Sequence, residues 1–144
     1  MNLNTILGIS TAIAFLLPAA IILSSRLLIN ISLLALVIYF LMVMTYTLMS
    51  ENIIIVNTVV KRNFGVINNY LDVPLMLTAM LMFCSEKWKQ RVIVTSIIIF
   101  SAYEIIILFA YNLLPVSSKY IMGPGIILVL IYSLYLFINN IKYE

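Results

Sequence analysis

Two carboxylates interrupt stretches that are otherwise apolar: Asp72 in GVINNYLDVPLMLTAMLMF and Glu104 in RVIVTSIIIFSAYEIIILFAYN. A charge at the centre of a bilayer costs about 2.5 kcal/mol or more. An acid inside a spanning segment therefore faces the protein interior and marks a candidate site for a proton, a cation or a polar ligand. Groups able to hydrogen-bond an acid stand nearby in the chain. Asn69 and Tyr70 directly precede Asp72, with Asn68 and Thr78 within two helical turns. Ser101, Glu104, Leu108 and Tyr111 follow the spacing of one helical face. Tyr39 and Tyr46 continue from Ser32 at intervals of seven and supply phenols for the wall of such a site, either keeping an acid protonated or relaying its proton.

Each acid also has a purely structural reading. Asp72 can cap backbone or pair with Lys61, Arg62 or Lys119. Glu104 can be a neutral acid hydrogen-bonded to Ser101 or a tyrosine as helix glue, a contact averaging about 0.6 kcal/mol in membranes.

Other chemistries find little support. Histidine is absent and Cys84 is the single cysteine, which removes the usual haem ligand, the commonest zinc ligand and any thiolate cluster. Met76, Met80 and Met82 lack a His or Cys at ligand spacing and read as adaptable packing. Serines have no histidine to activate them, and neither a G-x-S-x-G elbow nor an H-E-x-x-H helix occurs. An aspartic dyad of Asp72 and Glu104 would lack flanking glycine signatures. No catalytic residue, metal site or cofactor is expected, and the residues favour a role other than catalysis.

Backbone irregularity gathers near Asp72. Pro74 has no N–H to bond the carbonyl of Tyr70 and kinks the helix at that point. Further on, Gly123 and Gly125 permit close backbone approach, while Pro124 bends or starts a helix. Irregular backbone at membrane depth is tolerated where it lines a cavity or is buried in protein. An outward-facing vestibule between these two regions is the expected consequence.

The elements that must position these groups follow from hydropathy. The chain is 65% hydrophobic and 9% charged over 144 residues, whereas soluble domains carry about a quarter charged residues. Spans of roughly 20 apolar residues fall at about 4–24, 28–49, 66–84, 92–114 and 120–141. They predict a single transmembrane domain over residues 1–144, an all-α up-and-down bundle of five transmembrane helices. Residues 51–62 read as a connector at headgroup level, extended or a half-helix. The opening segment has no basic start and exceeds a secretory signal's apolar core, so it reads as a retained first span.

Arg26, Lys87, Lys89, Arg91 and Lys142 collect on one side, against Lys61, Arg62 and Lys119 on the other. The positive-inside rule then predicts the N-terminus outside and the C-terminus cytoplasmic, in a cell inner (plasma) membrane. Trp88 fits an interfacial anchor on that side. The scattered net charge of +3 gives no basic face for nucleic acid. Richness in Ile, Asn and Tyr suggests a bacterial source.

The leading expectation is a small transport- or sensing-type protein binding a proton, cation or small polar ligand at Asp72 and Glu104, with the lipid bilayer as its surroundings. One alternative is a noncatalytic accessory subunit of a larger membrane complex, its acids paired with partner residues, or a homo-oligomer. A lipid-handling membrane enzyme has the least support.

Overall fold

The computed structural model describes residues 3–24, 30–111 and 115–141, and every element in them is helical. Helix α1 spans Leu3–Ser24, α2 Ile31–Ser50, α3 Thr58–Met80, α4 Lys87–Tyr111 and α5 Pro115–Ile141; a 3-10 turn, Leu81–Phe83, extends α3. All five are long and apolar enough to cross a membrane. Large apolar side chains such as Ile98, Ile106, Phe109, Ile127 and Phe137 are exposed along them. Such a surface is suited to hydrocarbon and is larger than a soluble monomer leaves in water. Arg26 and Lys142, used above for orientation, lie outside the described residues, as do the expected start of the second helix and the expected end of the fourth.

Three helices begin earlier than the hydropathy pattern implies, because local chemistry and not apolarity starts a helix. Residues 51–62 are not one connector. After α2, the Asn52 N–H reaches the Met49 carbonyl at 3.3 Å and the Ile53 N–H reaches that of Leu48 at 3.0 Å, with Asn52 at φ 55°. This is a Schellman stop, and asparagine tolerates the left-handed conformation it needs. Asn57 then caps α3, its side chain accepting from the Val59 N–H at 2.9 Å. The third helix accordingly runs from Thr58, not from about 66, and carries Lys61 and Arg62 in its first turns. Helix α4 starts on the polar Lys87, and α5 starts at Pro115, where a missing N–H costs nothing.

Adjacent helices are antiparallel, as their contacts show. Phe15 packs on Phe40 while Gly8 lies against Glu51 and Gly65 against Tyr46. Between α4 and α5, Ser96 bonds Tyr132 and Tyr103 bonds Tyr120, so the pairing runs in opposite order along the two helices. Helix α3 is the centre of the bundle, touching α2, α4 and α5, while α1 packs on α2. The main core lies between α3, α4 and α5 around Val73, Leu77, Ile93, Phe100 and Ile121. A smaller one joins Ala19 and Ile22 to Val37.

The turn between α3 and α4 is tied down. The Gln90 side chain donates to the Cys84 carbonyl at 2.8 Å, and Glu86 accepts from both Lys89 and Trp88. The bond from Lys89, with that from Trp88 second, holds the Glu86 carboxyl below the usual range.

Candidate functional site

Gly125 fixes the height of the two acids relative to one another. A side chain there would collide with Val73 of α3 and Phe100 of α4, so these two residues lie at one level. Asp72 is next to Val73. Glu104 is one turn beyond Phe100, in the direction that leads toward the start of α3. At 1.5 Å per residue the acids differ in height by about 4.5 Å. Counted from a third span that starts at about 66, Asp72 would lie about 9 Å from that end of the bundle and Glu104, about 15 Å from it, would be the deeper acid. The structure reverses this order, with Glu104 level with about Asn69, nearer the Thr58 end, and Asp72 about 21 Å along α3 because that helix starts early.

Asp72 is half-buried. It opens on a groove of about 210 Å³ lined by Tyr39 of α2, by Val73 and Met76 of α3, and by Ile126, Val129 and Leu130 of α5. The Asn68 side chain donates to its carboxyl at 3.4 Å, a long bond between residues one turn apart. Helix α4 contributes nothing to this groove, so the two acids do not share it.

Glu104 is enclosed. It lies on the same face of α4 as Lys89, Ile93 and Phe100, the other buried residues of that helix, and is 5% exposed. Its Oε1 is buried without a hydrogen-bond partner among the described residues, as are the Tyr70 hydroxyl and Asn68 Oδ1. Leaving such a group unsatisfied costs about 1–3 kcal/mol, more when it is charged. The three atoms belong to residues within about one turn of each other in height, but not on one face. Asn68 stands with Asp72, whereas Tyr70 packs against the core that contains Val73 and Phe100.

Other expected site residues are placed differently. Asn69 is half-buried; the buried amide on the Asp72 face is its neighbour Asn68, 6% exposed. The i, i+4 relation to Asp72 was the signal for it. Ser101 and Tyr111 are half-buried on α4, but Tyr111 stacks on Tyr120 with ring centroids 5.1 Å apart, about 10 Å along the helix from Glu104. Tyr39 faces Asp72, while Tyr46, two turns away, packs on Gly65. Of the two glycines flanking Pro124, Gly125 makes the close approach and Gly123 faces open space.

Pro124 lies inside α5 and does not begin it. It frees the carbonyl of Tyr120, and the Tyr103 hydroxyl donates to that oxygen at 2.8 Å. Tyr103, the residue before Glu104, thus ties α4 to the carbonyl that Pro124 frees in α5, at the level of the buried acid. Sequence reading missed it: a proline announces a free carbonyl, but not which side chain will reach it.

Comparison with protein-family models, curated proteins and solved structures finds no match to this chain. The fold and site define a class, a bundle of five helices among the described residues, each long and apolar enough to cross a membrane, with two acids in unlike surroundings.

Proposed function

We propose that this is a small membrane protein of transport or sensing type, in which Glu104 exchanges a proton and Asp72 takes a cation or small polar ligand. The observation carrying this reading is the enclosed Glu104 carboxyl, one oxygen of which has no partner among the described residues. A helix that needed only packing at this position would be more stable with an apolar residue of similar size, and intramembrane acids that persist at such a cost mark proton and ion pathways. Asp72, farther from the Thr58 end than Glu104, serves as the ligand-binding acid beside Asn68 and Asn69. Tyr39 lines the Asp72 groove and Tyr70 stands at about the height of Glu104; Tyr46 packs on Gly65 and Tyr111 on Tyr120.

The N-terminus lies outside and the C-terminus in the cytoplasm of the plasma membrane. Lys87, Lys89 and Arg91 at one end of the bundle, with exposed Trp88 beside them, support this orientation.

The test is proton movement into vesicles carrying the purified protein under an imposed gradient. Glu104→Gln should insert normally and reduce movement to that of empty vesicles. Movement retained by Glu104→Gln overturns the reading.

A further inference from the structure

The Asp72 groove combines two features that together select a ligand. Its single charged group is a carboxylate at the junction of three helices, and the wall around it is hydrocarbon and thioether: Met76, Ile126, Val129 and Leu130, with the Tyr39 ring on the α2 side. An inorganic cation is poorly served there. Calcium takes six to eight oxygen ligands and magnesium a near-ideal octahedron, and no group of three His, Cys, Asp or Glu residues forms anywhere among the described residues. A neutral polar molecule would leave the carboxylate without a counter-charge and bury its own polar atoms against apolar walls.

A positively charged nitrogen carrying an apolar body satisfies both features. The charge meets Asp72, the Tyr39 ring that lines the groove offers cation–π attraction, and the body fills the hydrocarbon wall. The groove's size, about 210 Å³, lies below the roughly 300–1,000 Å³ of drug-sized sites and points to a compact ligand.

We propose that the groove between α2, α3 and α5 binds a small organic monocation, a substituted or quaternary ammonium with a hydrophobic body, through Asp72 and Tyr39. This names the ligand class at Asp72 and rests on the preceding reading that the acids serve binding.

The test is equilibrium dialysis of radiolabelled benzyltrimethylammonium against the full-length protein in lipid nanodiscs, alongside the vesicle proton measurement. The wild type should bind saturably at one site, and a large excess of potassium should not displace the probe. Asp72→Asn should weaken binding about tenfold or more, the scale of losing a charged partner. Tyr39→Leu should weaken it about two- to fivefold. Val129→Phe fills the groove from α5 with the carboxylate intact and should abolish binding; it decides the matter if Asp72→Asn does not fold.

Absence of saturable binding, displacement by potassium, or wild-type affinity in Val129→Phe overturns the inference. If binding fails while Glu104-dependent proton movement persists, this inference alone falls. If proton movement is absent as well, the wider reading falls with it.

Discussion

Asp72 and Glu104 are chemically alike and separated in height by less than one helical turn, yet the fold treats them differently. Asp72 has an amide donor one turn away and a groove in front of it. Glu104 is packed into the face of α4 that meets the core, and one of its oxygens has no partner among the described residues. Gly125 packs against both helices, on Val73 beside the first acid and on Phe100 one turn from the second. Height along the bundle therefore does not set the surroundings of an acid; the neighbouring helix that covers it does. Helix α5 leaves a gap over Asp72, and α4 turns Glu104 toward the packed interior.

The contrast breaks most completely at Gly125. Replacing it by leucine forces α5 away from both Val73 and Phe100 and should lower stability by about 3 kcal/mol, read as a drop in the thermal unfolding midpoint in detergent. An unchanged midpoint would mean that the close approach does not exist. Leucine at the acids themselves should give opposite signs. Glu104→Leu removes an unpartnered polar atom and should raise stability by about 2 kcal/mol. Asp72→Leu strips Asn68 of its partner and should lower stability by about 1 kcal/mol. Two changes of the same sign would erase the distinction drawn here.

Tyr103→Phe sharpens the picture next to Glu104. It removes the donor to the carbonyl freed by Pro124 and should cost about 1 kcal/mol, with little effect on the Asp72 groove. A control lies at the far end of the bundle and is the smallest effect. Glu86 is held below the usual carboxylate range by Lys89 and Trp88, so its stabilising contribution is present above the ordinary carboxylate pKa of about 4.3 and disappears as pH falls through its lowered value. Glu86→Gln should thus unfold slightly earlier than wild type at neutral pH and match it in strong acid. A difference that persists in acid would exclude the ion pair as its source.

Much of the fold was legible because spans are written in composition: about twenty apolar residues are enough to mark each one. Their ends were not, since they depend on single residues. Asn57 caps α3 ahead of two cations, Asn52 stops α2 with a left-handed turn, and Pro115 begins α5. The early start of α3 also displaced every depth counted from its beginning, which is why the expected order of the acids inverted.

The candidate site was legible in its acids, because charge in a hydrophobic run is visible without coordinates. Its surroundings were less so. A residue-by-residue reading could not choose Asn68 over Asn69, although helical spacing favours the former. The sevenfold recurrence of Tyr39 and Tyr46 described one stripe of α2, but α3 crosses that stripe so that one tyrosine meets Asp72 and the other meets Gly65. Tyr103 belongs to a tertiary contact that no local pattern encodes.

The difference between the two acids can be measured directly by carbodiimide labelling of the protein in lipid, with the modified peptides quantified by mass spectrometry over time. Asp72, at the groove, should react far faster than the enclosed Glu104, and the two should converge once the protein is denatured. Equal rates in the folded protein, or faster modification of Glu104, would contradict the account.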